Sequence, residues 1–536
     1  MRLALIAFGL ITLPLSSLAQ GSLSGDLQAN VNFFNRDTSI AAAGTPQYDN
    51  LRSGSESWLS LRYAQNDFSA FIRIDGFYNS NLYNPQTSYN GIGLGALTLS
   101  KNIGELTVTG GTIYDQIGSG ILFRAYEDRG LLIDNALQGV HVKYKPSDHF
   151  SVKGMMGYQK STALFGSGTV SLFPHYDPVI KAINAEGDVQ VAGKYHFAPG
   201  VGVLNRTLDE KSMSAIAGTI NSEPLDDRFV PKYNMYAATV YNTFTSGSLS
   251  IYTEAAYKTE EAIAVNNKLR NFSGNVLYGT ASYARKGFAV NASAKRTENF
   301  EMRTSPNEVL LAGLLNWQPV VARLRPQRLL ARYSPASQNL SEVALGGDVL
   351  IAPNDDVTIT LNYTHINTLD DVKLYREAYG DLDWRNLGPI NFQVGAQYLV
   401  YNRKVYQVNP AARTLTAFTP FTEFTYRLTE KKSIRLEAEY MFTEDDLGPQ
   451  AFLLAEYNIA PRLSIAVSDM YLVNPSDESA IKGNKHFYQF FGAYTRGPHR
   501  FTAAYVRQVE GVNCTGGVCR YEPAFNGLKF SITSSF

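Results

Sequence analysis

The chain has 536 residues, 48 basic and 48 acidic side chains, a formal net charge of zero, 33 tyrosines, 29 phenylalanines and two cysteines. Balanced charge gives no general attraction to nucleic acid or to an anionic surface. Tyr-rich, helix-poor sequence with alternating polarity points to extended strands, and the length suffices for several soluble domains or one very large one.

The N-terminus reads "MRLALIAFGLITLPLSSLAQ". Arg2 is a charged n-region, Leu3 to Leu15 an apolar run, and Ser17-Leu18-Ala19 a small-residue cleavage site. The pattern predicts a signal peptide over 1–19 and an exported domain over 20–536. No cysteine follows the cleavage point, so a lipid-anchored N-terminus is not expected. No later apolar run reaches the ~18 residues of a membrane-crossing helix.

Short polar or Gly/Pro turns begin at Gln65-Asn66-Asp67 and Asn102-Ile103-Gly104. Next comes "GTIYDQIGSGILFRAYEDRGLLIDNAL", residues 111–137, with a GxG turn at Gly118 and Gly120. It matches neither a P-loop nor a dinucleotide fingerprint, so a phosphate cradle is excluded. Gly111 and Thr112 end one strand and Ala136 begins the next, which makes the stretch one long loop. Arg124, Glu127, Asp128, Arg129 and Asp134 are expected to pair and hold its shape, as a gate or constriction candidate. Exposed apolar residues such as Ile121, Leu122 and Phe123 are costly unless they pack, so the loop is expected to fold into the barrel mouth or onto its rim.

"FSVKGMMGY" sets Phe150, Val152, Met156 and Tyr158 against Ser151, Lys153 and Met155. Long connections are expected over 159–185, which holds Leu172 and Phe173, and over 208–230. "SLSIYTEAAYK" and "GFAVNASAK" alternate in the same way, with Glu254, Lys258 and Lys295 on their polar faces. "RLRPQRLLAR" (Arg323, Arg325, Arg328, Arg332) reads as a solvated turn or an inward-facing strand pair rather than a constriction. "DVTITLNYTH" and "SIRLEAEYMF" continue the period of two, the latter with Ile434, Leu436, Ala438, Tyr440 and Phe442 against Arg435, Glu437, Glu439 and Met441. Such alternation is the mark of a strand with two different surroundings on its faces.

Further tight turns fall near Pro146-Ser147-Asp148, Ala198-Pro199-Gly200, Ser246-Gly247, Arg285-Lys286-Gly287, Pro353-Asn354-Asp355, Leu387-Gly388-Pro389, Thr429-Glu430-Lys431, Ala460-Pro461 and Arg496-Gly497-Pro498. Between successive turns lie roughly 30–45 residues, or two strands of about ten and a longer polar connection, which is the pattern of a transmembrane β-barrel. An extra turn near Gln318-Pro319 would split the one long interval, 287–353. With it the count is about 26 strands, and without it about 24. Closure follows because an open edge in lipid leaves backbone groups unpaired. A large secreted β-sandwich or propeller is the competing fold, but no blade repeat is present.

The polar faces supply a mixed-charge lumen of Arg73, Asp75, Lys153, Glu254, Lys258, Lys295, Arg435, Glu437 and Glu439, which argues against strong anion or cation selectivity. Seven histidines, among them His149, His365 and His499, form no recognisable motif, so no catalytic, cofactor-binding or metal-ligating residue is nominated. Cys514 and Cys519 in "NCTGGVCR" enclose a Gly-rich turn, and in an oxidising compartment a local disulfide is the natural reading. The chain ends "GLKFSITSSF", with Leu528, Phe530, Ile532 and Phe536 on one face. That aromatic ending resembles the signal that barrels present to their assembly machinery.

The segments "YDQIGSGILFRAYEDRGLLIDNA", "RPQRLLARYSPASQ" and "NCTGGVCRYEPAFNGLKFSITSSF" resemble a family of large, uncharacterised outer-membrane barrel proteins of Bacteroidota. The resemblance covers most of the mature chain and implies no assigned activity, so no site residues carry over. It implies an outer-membrane setting, and by compartment alone a link to that phylum's secretion or gliding apparatus. No plug domain or energy-coupling box of a TonB-dependent receptor is present. The expectation is a monomeric all-β barrel of about 24–26 strands. Its partners are outer-membrane lipid, the barrel-assembly machinery and other envelope proteins, with no nucleic acid and no cofactor. It serves as a porin-like channel for polar solutes, or alternatively as a non-conducting structural or secretion-accessory barrel, and not as an enzyme.

Overall fold

The computed structural model describes residues 21–161, 174–265, 268–308, 312–336, 340–479, 481–515 and 518–536, with backbone only over 512–521. The expected leader lies outside the described residues. The rest is a closed antiparallel barrel of 24 strands. The strand Ser22–Phe34 pairs with the last strand, Phe525–Ser535, from Asp26 opposite Ser535 to Phe34 opposite Gly527. One residue further, the Gly25 amide donates to the Phe536 carbonyl at 2.8 Å and the Phe536 amide to the Gly25 carbonyl at 2.9 Å. The ring therefore leaves no edge strand, and every wall strand has two ladder neighbours.

Short turns occupy one end of the barrel. In two of them Gly247 and Gly497 adopt φ of 56° and 57°, the left-handed conformation that tight antiparallel turns demand. Two expected turns are not turns. Pro199 and Gly200 lie inside the strand Tyr195–Thr207, opposite Asn242 and Tyr241, and the real turn is 192–194, after the short strand Val189–Val191, with Gly193 at φ 64°. Pro199 pairs on one side only, because the ladder on the other breaks between Phe197 and Gly200, a place where a strand tolerates proline. Gln318-Pro319 makes no wall turn either, because Phe288–Glu298 pairs directly with Glu342–Ile351. The stretch 299–341 is thus a single connection, and the wall has 24 strands rather than 26.

Longer connections lie at the other end. The segment 208–233 contains the helix Glu210–Asn221, whose N-cap Asp209 accepts from the Ser212 amide at 2.9 Å. Its buried stripe of Met213, Ile216 and Ile220 packs with Leu208 and Leu269. The expected connection 159–185 is shorter than foreseen, since His175–Gly187 is wall strand. Leu172 and Phe173 fall outside the described residues.

Burial is inverted relative to a protein folded in water. Along Lys432–Met441, Leu436 is exposed whereas Glu437 and Glu439 are buried. Ile183 and Leu453 are 62% and 63% exposed, while Arg73, Lys258, Lys295 and Glu377 are fully enclosed. Apolar side chains face outward and charged ones inward, so the hydrophobic effect here favours an apolar surrounding medium.

Candidate functional site

The inward-facing charges meet two connections that fold back into the barrel. The first, 114–136, forms two small hairpins, Asp115–Ile117 with Phe123–Ala125 and Glu127–Asp128 with Ile133–Asp134. Its GxG turn has Gly118 at φ 56° and Gly120 at φ 98°. That turn presents Ser119 to the wall, where its amide and hydroxyl donate to Glu254 at 3.0 and 2.5 Å. The second connection, 299–341, knits to the first. Arg124 N donates to Leu315 O and Trp317 N to Gly120 O, both at 3.0 Å, and Asn316 Nδ2 donates to Ile121 O at 3.1 Å. Ile121, Leu122 and Phe123 then pack with Phe300, Met302 and Leu315 against the inner wall at Ile180, Leu204 and Met235. A dry core inside a barrel fixes this plug by the same burial that holds a soluble domain together.

Two of the five charged residues expected to form a loop cluster meet one wall residue, and a third joins them through Glu127. Arg73, 2% exposed, lies 2.8 Å from Glu127 and 2.8 Å from Asp134, and is held by Asp75 at 2.7 Å. Asp134 also accepts from Lys160 at 2.5 Å and from the Tyr114 hydroxyl at 2.8 Å. Arg129 donates to Glu127 at 2.7 Å and to Gln28 at 2.7 Å, with its guanidinium over Trp58. The other two stand apart. Arg124 lies between the rings of Tyr126 and Trp317, 4.1 and 4.7 Å from their centroids, and Asp128 accepts from the Leu131 amide at 3.0 Å. Lys160 and Tyr114 went unnoticed in the sequence, where a strand-end lysine and one more tyrosine carry no signal.

Burial alone would raise the Asp134 carboxyl, but Lys160 and Arg73 outweigh it and hold the group below the ordinary carboxylate value. At Asp115, burial again opposes ionisation, and hydrogen bonds from His141 and Lys153 win, holding it at about 2. The Lys153 bond to Asp115 is 2.8 Å long. Each pair joins a plug residue to a wall residue.

The basic segment is neither a solvated turn nor a strand pair; it is part of the plug. Arg325 donates to Glu377 at 2.9 Å and to Asn362 at 2.8 Å, and stacks 3.6 Å above Tyr379. The amides of Arg328 and Leu329 both donate to Glu439 at 2.8 Å. Arg332 lies 3.9 Å from Asp446, and the exposed Arg323 lies 4.0 Å from Asp348. Beside this segment a cavity of about 360 Å³ remains between plug and wall. On its wall side Arg435 lies within 2.8–3.2 Å of Glu423, Glu437 and Glu456.

Among the described residues no group of three or more His, Cys, Asp and Glu is placed to hold a metal. The hairpin Gly511–Thr515 with Val518–Glu522 sets Cys514 opposite Cys519 along its ladder, and the side chains that would form the expected disulfide lie outside the described ones. In the last strand Phe530 faces outward and Phe536 is exposed beside the closure seam.

A family model described as "Family of unknown function (DUF6029)" matches residues 1–536. No curated protein matches the chain. Among solved structures, the P pilus usher (PapC) translocation pore aligns at 10% identity over 96% of this chain and 99% of that one, with a TM-score of 0.44. The siderophore receptor PirA from Pseudomonas aeruginosa aligns at 8% identity over 96% and 80%, TM-score 0.41. OccAB3 of Acinetobacter baumannii aligns at 8% identity over 97% and 100%, TM-score 0.36.

Proposed function

Because the chain belongs to the DUF6029 family of unknown function, membership brings no activity with it, and we propose one from the barrel's geometry. The protein is an outer-membrane β-barrel, exported on a cleaved leader over 1–19, that admits small polar solutes along the part of its lumen its own plug leaves uncovered. The outward apolar face supports the membrane setting, since Ile183, Leu277 and Leu453 would be unfavourable in water and favourable in lipid.

One observation carries the passage reading. Where the plug lies, the inner wall is sealed: Ile180, Leu204 and Met235 have no exposure at all. Across the barrel the inner wall is polar and only partly covered, with the side chains of Glu423 and Arg435 both 29% exposed. Partial burial of charged groups inside a closed barrel requires water beside them. The plug then sets the bore, and both signs of charge line it.

Single-channel recording in planar bilayers tests this. The native protein should give small unitary steps, and a variant with 299–341 replaced by a short Gly-Ser turn should give much larger ones. Silence in both would overturn the proposal. A second reading, a non-conducting barrel that serves envelope partners, draws support from the buried ion pairs that tie plug to wall. Silence together with a stoichiometric partner from native membranes would favour it.

A further inference from the structure

Near the long-connection end, one part of the outer wall turns basic. The strand Val357–Thr368 starts from the tight turn at Pro353-Asn354-Asp355, so Thr368 and the facing start of Lys373–Leu387 lie at the opposite end. His365 stands opposite Arg376, and the exposed Leu361 and Tyr363 mark their face as the outward one. A bulge between Ile366 and Asn367 shifts the register, so that Lys373, opposite Asn367, faces outward as well. Without it, two residues three apart on a strand would point to opposite faces. One row towards the middle of the wall, Tyr363, Ala378, Tyr398 and Phe418 lie side by side, all exposed. Outward aromatic rows near the ends of barrel strands sit at the level of lipid headgroups.

The Arg376 guanidinium is held in place. Its Nη1 donates to the Ile366 and Tyr375 carbonyls, both at 2.7 Å, and its Nη2 to the Asn367 side chain at 2.5 Å. Its Nε has no partner among the described residues, and neither Arg376 nor Lys373 has a carboxylate within 4 Å there. Glu377, next in sequence, faces inward and is taken by Arg325 at 2.9 Å. Asp371, whose charge reaches Arg376, accepts from Asn367 Nδ2 at 2.5 Å. With Asp370 it belongs to the connection 369–372, on the water side of the two basic residues.

We infer that this patch holds the phosphate of an anionic lipid headgroup, from the leaflet at the long-connection end. The Nε edge of Arg376 meets the phosphate oxygens, Lys373 adds charge, and an acyl chain runs past the small Ala378 between Tyr363 and Tyr398. Arginine offers phosphate a planar fork, and fixing that fork beforehand lowers the cost of ordering it. A soluble acidic partner would approach from the water side, where Asp370 and Asp371 repel it. The inference rests on the membrane setting proposed above and not on solute passage.

Native mass spectrometry of the full-length barrel tests it, after insertion into vesicles of equal parts phosphatidylglycerol and phosphatidylcholine and extraction in mild detergent. Phosphatidylglycerol should stay bound, with phosphatidylcholine retained about tenfold less, the scale of one charge-assisted contact. R376Q should bring the two lipids to equal retention. Should that variant fail to fold, K373Q, at an exposed position, should reduce the same preference. Equal retention by the native barrel, or an unchanged preference in the variants, overturns the inference. A dimer that R376Q abolishes would assign the charge to a second copy and overturn it too. Failure to insert into the vesicles would overturn the membrane setting itself, and the inference with it.

Discussion

Arg73, on the wall strand Phe68–Ser80, donates through Nη2 to Asp134 at 2.8 Å, across 61 residues of sequence, and both side chains are buried. The bond joins the plug to the barrel. Converting Asp134 to Asn would leave Arg73 and Lys160 facing a neutral group. Loss of one partner from a buried pair costs about 3–5 kcal/mol. For D134N we expect faster hydrogen exchange over 114–136 with the wall strands unchanged. Unchanged exchange in that segment would show that the pair holds nothing.

Acid should release the same contacts. The Asp115 carboxyl, at about 2 against an ordinary 3.8, and the lowered Asp134 both ionise more readily folded than unfolded. Their contribution is therefore complete above the unfolded value and disappears as pH falls through the folded one. Protease resistance of 114–136 should hold down to about pH 4 and decline between about pH 4 and pH 2. A decline near neutral pH would contradict this assignment.

The outward face separates a lipid-facing barrel from a water-facing one. Leu453 is 63% exposed, in mid-strand in Gln450–Ile459. In water, Leu453→Arg would be nearly neutral, within ~0.5 kcal/mol for a surface change. At a bilayer midplane it costs about 2–4 kcal/mol. We expect L453R to lower the denaturant midpoint of the barrel refolded in lipid vesicles. An unchanged midpoint would count against the membrane setting.

Closure depends on a residue outside the last ladder. Phe536 exchanges two backbone hydrogen bonds with Gly25, and a Cβ on Gly25 would stand 2.6 Å from the Phe536 ring. Removing Phe536 should lower the fraction of barrel that resists unfolding in cold SDS, and Gly25→Val should do so through steric exclusion. Full resistance in both would show that the ladder from Asp26 to Phe34 closes the ring unaided.

Much of the wall was readable because its cause is local. A strand with two different surroundings alternates with period two, and tight antiparallel turns need residues of unusual backbone freedom, as at Gly247 and Gly497. The misreadings share a cause too. Pro199 and Gln318-Pro319 carry turn chemistry, yet one lies in a ladder and the other in the plug. Local punctuation marks where a chain can turn, while pairing decides whether it does.

The plug shows where that limit falls. The length of 114–136, its charge and its apolar residues pointed to a loop that must pack on something. What it packs on is named by contacts such as Asn135 to Leu314, 179 residues apart, and Arg124 between Tyr126 and Trp317. No periodicity encodes partners at that separation.

By itself, then, the sequence determined an all-β, outward-apolar barrel, because alternation and turn chemistry act over a few residues. Tertiary structure alone decided the count of 24 strands, the plug and the cavity left between plug and wall. Each of these depends on which inward side chains meet once the ring has closed, and closure joins residues from opposite ends of the chain.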